Sequence, residues 1–234
     1  QLKQNTLLQD GIFFIQMINN MKYINLAENG FLLADLPDEL YSDIEQKYKL
    51  ALENFENLTP HNDQLAGHIK KEFLFDHPKQ LHNFISVMMQ EYNKNNPKYL
   101  EDFAVSYRDL PMVLRETWIN FQTKTEYNPP HSHSGIFSFV IWVKIPYSLE
   151  EEKQCFPDVN EGCLNGQFSF LYTNGQGKIK THHLKVDRSW QGKVALFPSS
   201  LMHTVYPFYT SDEYRISISG NIKMDPDFLI QEQN

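Results

Sequence analysis

The chain has 234 residues, of which 41% are hydrophobic and 21% charged, with a net charge of −8 at neutral pH. That is the balance of a folded globular protein long enough for one large domain, and its acidic excess offers no electrostatic footprint for a nucleic-acid backbone. Two cysteines, Cys155 and Cys163, are too few for a disulfide scaffold; they could close one local bridge, but a reducing compartment favours free thiols.

The first apolar stretch, "GIFFIQMI" at 11–18, holds a strand candidate at 12–18. It is too short to span a bilayer and lacks the flanks of a signal peptide, so the expectation is a cytoplasmic protein with no membrane partner. Residues 36–58 read as a helix, with Pro37 in the first turn and Leu40, Ile44, Tyr48, Ala51, Leu52 and Phe55 at three- and four-residue steps. A second helix is expected over 79–94, with Leu81, Phe84, Ile85, Met88, Met89 and Tyr92 on one face and "NNP" as its stop. The intervening stretch 59–78 has no clear period.

After about residue 105 the pattern changes to strands. Candidates are 113–124, the near-continuous apolar run 135–146, a hairpin over 166–186 turning at Asn174-Gly175-Gln176-Gly177, then 192–198 and 214–222. Short strands punctuated by Pro, Gly and Asn fit a sandwich or jelly roll. The expected architecture is α+β and mostly β: a helical N-terminal region, 1–105, packed on a jelly-roll core, 106–234, as one integrated domain.

"NPPHSHSG", 128–135, places His131 and His133 two residues apart, so in an extended chain both imidazoles point to one face. Alone, such a pair is as readily a polar turn as a chelate. His203 follows in "LFPSSLMHTVYPF", and Arg215 and Ser217 share parity on the strand after it, with Ile216 and Ile218 opposite. Imidazoles hold divalent transition metals, and an arginine pairs bidentately with a carboxylate. Parity alone leaves open whether Arg215 and Ser217 face an interior or solvent.

The ordered set H-x-H, a histidine seventy residues on, and Arg-x-Ser twelve beyond that resembles the iron(II)/2-oxoglutarate-dependent oxygenases, and in particular those found in marine bacteriophages and bacteria. "TWINFQ", "NPPHSHSGIFSFVIW", "ALFPSSLMHTVYPF" and "RISISGNI" carry the likeness, from about 117 to 222, and "LAGHIKKEF" at 65–73 adds to it. The resemblance implies a double-stranded β-helix (a cupin-like jelly roll) and a hydroxylase that uses Fe(II), 2-oxoglutarate and dioxygen and releases succinate and CO2. It implies His131 and His203 as iron ligands, and Arg215, supported by Ser217, as the clamp on the C5 carboxylate of 2-oxoglutarate. The sequence departs from the usual H-x-D/E motif, because His133 stands where the carboxylate normally does. His133 itself, a carboxylate such as Asp158 or Glu161, or water then completes the site, and ligation by His133 is the favoured reading.

Asn120 and Gln122 share parity on "WINFQ" and either bind the cosubstrate or form a polar edge. Tyr127 and Asn128 are candidates for substrate contact. Phe137, Phe139, Trp142 and Phe170 read as core or pocket wall, and His182 and His183 as surface residues. His61, His68, His77 and His82 match no ligand spacing, although His68 would approach the site if its segment were a lid. Two other classes compete: a cupin-type three-histidine dioxygenase that needs no 2-oxoglutarate, and a non-catalytic jelly-roll binding module. The substrate, a small molecule or a peptide, is not specified. The insert 146–166 is acidic at its start and mildly favours a neutral or basic one.

Overall fold

A computed structural model describes residues 21–27, 29–103, 112–156, 158 and 162–225; the strand candidate at 12–18 lies outside the described residues. An N-terminal hairpin, β1 (Lys22–Leu26) and β2 (Asn29–Asp35), leads into helix α1 (Asp38–Glu53). Pro37 directly precedes the helix, and Asp38 and Glu39 in its first turn complement the helix dipole. The helix stops five residues short of the expected end. Asn54 leaves the helical region at φ −142° and its side chain donates back to Leu50 O, so the chain tightens into a 3-10 turn over Phe55–Asn57. That turn aims the Phe55 ring edge-on at Phe121.

A three-residue strand β3 (Glu72–Leu74) precedes α2 (Lys79–Asn95) and α3 (Pro97–Phe103). The buried residues of α2 are the six that its periodicity predicts. The core strands are β4 (Met112–Gln122), β5 (Asn128–His131), β6 (Phe137–Lys144), β7 (Phe168–Thr173), β8 (Ile179–Leu184), β9 (Lys193–Pro198), β10 (Met202–Val205) and β11 (Arg215–Met224), with a short helix α4 (Leu149–Gln154) between β6 and β7. The Ser148 capping box starts α4.

Two antiparallel sheets result. The larger has the order β1-β2-β9-β6-β11-β4-β3 and the smaller β5-β10-β7-β8. From β4 onward the chain alternates between them, except that β7 and β8 are neighbours in the small sheet; this is the double-stranded β-helix. The region before residue 105 is not only helical, because β1, β2 and β3 extend the large sheet at both edges. β1, β3, β5 and β10 are short and weakly alternating, which hides them from pattern reading.

The large sheet is covered on both faces, which explains the continuous apolar run of β6. Phe137, Phe139, Ile141 and Val143 meet the helices, while Val140 and Trp142 meet the small sheet. Ile216 and Ile218 of β11, and Ile119 and Phe121 of β4, also pack on the helical side. By alternation, Arg215, Ser217 and Ser219, with Trp118, Asn120 and Gln122, face the interior between the sheets. The parity ambiguity at Arg215 is thus resolved in favour of a polar interior wall.

Candidate metal and cosubstrate site

His131 ends β5 and lies directly opposite His203 of β10 in the antiparallel register, so their side chains share a face. His133 follows in the loop, where its backbone N–H donates to Ser199 O at 2.8 Å. The ring centroids of His131 and His203 are 4.2 Å apart, and His133 lies 5.0 and 5.1 Å from them. One nitrogen from each histidine lies within 4.8 Å of the other two.

Two of these imidazoles have their tautomer set by the backbone. Nδ1 of His131 is 2.7 Å from Pro129 O, and Nδ1 of His203 is 3.0 Å from Leu201 O. A carbonyl only accepts, so Nδ1 carries the proton in each and the Nε2 lone pair is left free, as in ligating histidines. Burial lowers the pKa of all three: His131 is held below its usual value, His133 falls to about 4, and His203 lies well below the ordinary range. The neighbouring imidazoles push His133 and His203 further in the same direction. Phe168 stacks on His203 at 5.5 Å and Trp118 lies 5.5 Å from His133, giving the cluster an apolar surround. Neutral, pre-oriented imidazoles fit a divalent transition metal such as iron(II). Among the described residues no carboxylate joins the cluster; Asp158 is exposed, and Glu161 lies outside the described residues.

The histidines line a cleft of roughly 530 Å³, including its open mouth, whose opposite wall is formed by Trp118, Asn120, Gln122, Ser217 and Ser219. Asn120 Nδ2 donates to Ser217 Oγ at 3.2 Å, which leaves the serine hydroxyl proton available. Arg215 is 4% exposed and does not line the cleft; it lies behind Gln122. Its Nε and Nη2 both donate to Gln122 Oε1, at 3.0 and 2.6 Å. The remaining donors go to Tyr147 Oη, Gly166 O and Tyr206 O. All four partners of these five bonds are neutral, and among the described residues no carboxylate pairs with Arg215. A guanidinium buried without a counter-ion is costly. A single amide oxygen occupies the edge that would receive a carboxylate bidentately. This donor set fits the far carboxylate of 2-oxoglutarate.

Of the two substrate candidates, Asn128 lines the cleft and Tyr127 does not; the Tyr127 ring is exposed and stacks on His68 at 4.8 Å. Leu65, Ala66 and Ile69 of the same stretch wall the cleft, although His68 points to solvent. His77 pairs with Thr117, and His182 and His183 lie on β8, away from the cluster. Phe139 and Phe197 line the cleft, while Phe137, Trp142 and Phe170 are core. Sequence reasoning missed Glu72, a buried carboxyl on the cleft wall. The signal was faint: one acidic residue in "KKEF", on a strand too short to show alternation.

Fold and site together define a double-stranded β-helix metalloenzyme. Residues 116–221 match the family model described as "Putative 2OG-Fe(II) oxygenase". That stretch, a little under half of the chain, contains the three histidines, Arg215 and Ser217; it matches the 2OG-Fe(II) oxygenase family, and the protein is an iron(II)- and 2-oxoglutarate-dependent oxygenase. Solved structures agree on the fold. A prolyl-4-hydroxylase from Pseudomonas putida is 14% identical over 84% of this chain and 94% of its own, with a TM-score of 0.53. OsALKBH1 is 13% identical over 86% of this chain and 99% of its own, with a TM-score of 0.50. Comparison with curated proteins finds no match. The family match decides against the cupin-type reading without 2-oxoglutarate and against a non-catalytic module. Among the described residues no helix is long and apolar enough to cross a membrane.

Proposed function

We propose that the protein hydroxylates a C–H bond of a small-molecule or peptide substrate, coupled to conversion of 2-oxoglutarate to succinate and CO2. Iron(II) is held by His131, His133 and His203, and when bound it supplies the activation of dioxygen that the side chains cannot. Arg215 holds the far carboxylate of 2-oxoglutarate, with the Ser217 hydroxyl as a further donor. Gln122 gives up its place on the Nε/Nη2 edge of Arg215 when the carboxylate arrives, and Asn120 positions Ser217. Trp118, Phe139, Phe168 and Phe197 shield the reaction from water.

The observation that carries this reading is a buried guanidinium with no anionic partner among the described residues, held behind Gln122 in the cleft wall that faces three neutral imidazoles. The test is succinate formation from 2-oxoglutarate by the purified protein. It should require iron(II) and be lost in His131→Ala and His203→Ala. An Arg215→Ala protein with an unchanged KM for 2-oxoglutarate would refute the clamp.

A further inference from the structure

Glu72 is 2% exposed and lines the cleft, yet none of the roles above uses it. Its Oε2 has one long contact, 3.4 Å from Asn62 Nδ2, and its Oε1 has no hydrogen-bond partner. Glu72 is paired in register with Asn120, and Asn120 with Ser217, so all three project from one row of the large sheet into the interior. Asn120 Oδ1 in that row is also buried without a partner. Among the described residues no lysine or arginine lines the cleft. A buried carboxyl with an open oxygen, beside an open amide oxygen, calls for hydrogen-bond donors and a positive charge. The carboxyl is correspondingly pushed up to about 8, mainly by burial and also by the neighbouring Glu126.

Alternative uses of Glu72 fit less well. It does not belong to the histidine cluster, so it is not the missing carboxylate ligand. Among the described residues it has no partner cation, so it is not half of an ion pair there. Orphaned acceptors on one wall would repel the carboxylates of a second anionic molecule.

We propose that Glu72, with Asn120 Oδ1 beside it, recognises a cationic donor group on the substrate: an ammonium or guanidinium, as in a basic amino acid or a basic peptide side chain. This rests on the oxygenase reading and names the substrate class for the same cleft. Glu72 is a specificity residue that touches substrate, and no part of the iron or cosubstrate machinery.

The test is calorimetric titration of the iron(II)- and 2-oxoglutarate-loaded protein under anaerobic conditions. The probes are free L-lysine and L-arginine, blocked tripeptides with central lysine or arginine, and norleucine and citrulline as neutral counterparts. At least one cationic probe should bind the wild type and bind Glu72→Gln about tenfold or more weakly, the scale of a hydrogen bond to a charged group. The neutral counterparts should bind both proteins equally poorly. Whether the free amino acid or the tripeptide binds separates the two sources of the cation. Binding of no cationic probe to the wild type, or equal binding to both proteins, overturns the proposal. So does loss of iron or of 2-oxoglutarate binding in a folded Glu72→Gln protein, because Glu72 would then serve the metal centre. Succinate formation without added substrate should be unchanged in Glu72→Gln; its absence from the wild type even in the presence of a bound cationic probe would instead count against the oxygenase mechanism. Should Glu72→Gln not fold, Glu72→Asp serves: it keeps the charge but withdraws it by one methylene, and it should weaken the cationic probes alone.

Discussion

The two walls of the cleft are built on different terms. On the small-sheet side, the Nδ1 groups of His131 and His203 are tied to backbone carbonyls, and one nitrogen from each of the three histidines lies within 4.8 Å of the other two. That wall fits a single ion. On the large-sheet side, Asn120 Oδ1 and Glu72 Oε1 are buried without partners, and Arg215 is solvated by neutral groups in place of an anion. That wall is complete only with molecules in it. Convergent lone pairs select a metal, whereas scattered orphans select extended organic ligands with matching donors and charges.

The sharpest way to break this contrast is to alter the ion wall. His131→Ala and His203→Ala should each reduce iron-dependent succinate formation by more than about 100-fold, beyond the 10–100-fold typical of changes outside the ligands. His133→Ala should lose iron in the same way, whereas His133→Asp, which restores the common carboxylate, should retain it; metal analysis after dialysis reads both. On the organic wall the largest effect should come from Arg215. Truncating a buried charge partner costs about 2–5 kcal/mol, so Arg215→Ala should raise the 2-oxoglutarate KM by roughly 30-fold or more, with Arg215→Lys intermediate because it keeps the charge and loses the fork. Ser217→Ala removes one hydrogen bond of about 1 kcal/mol and should cost about fivefold in the same KM.

A different kind of effect, on stability, concerns Glu72 in the ligand-free protein. Its carboxyl lies at about 8 in the fold against an ordinary 4.5. The unfolded chain therefore releases this proton at lower pH than the native state, and the fold loses stability as pH rises between those values. Glu72→Gln removes that dependence. Its melting temperature should match the wild type near pH 4 and exceed it by a growing margin up to about pH 8, then by a constant one. Equal melting profiles across that range would show that Glu72 is already compensated.

How much of this was legible in the sequence also follows the two walls. The ion wall depends on parity and order, His131 with His133 and then His203, and these are visible in a linear string. The polar face of β11 was visible as alternation, but its direction was not, because inside and outside of a barrel share the same period. Only the packing of Ile216 and Ile218 under the helices decides it. Asn120 and Gln122 could be nominated from parity alone. Glu72 could not, because β3 is three residues long and gains its meaning from pairing with β4, a contact 48 positions away in sequence. The early end of α1 was hidden for a different reason: Phe55 continues the apolar period past Asn54, and the local backbone bond of that asparagine overrides it.

The position of β3 has a consequence for how such a protein changes over time. The strands β4 to β11 carry the histidines, Arg215 and Ser217, whereas Leu65, Ala66, Ile69 and Glu72 come from a preceding stretch that joins the large sheet only at its margin. β3 pairs with β4 on one side and with residues 59–61 of its own stretch on the other, so the segment can be exchanged as a unit without unpicking the barrel. Reactivity and selectivity are thus housed in separable pieces of chain. A graft of residues 60–74 between relatives could redirect the oxidising centre to a new molecule while leaving the centre itself untouched.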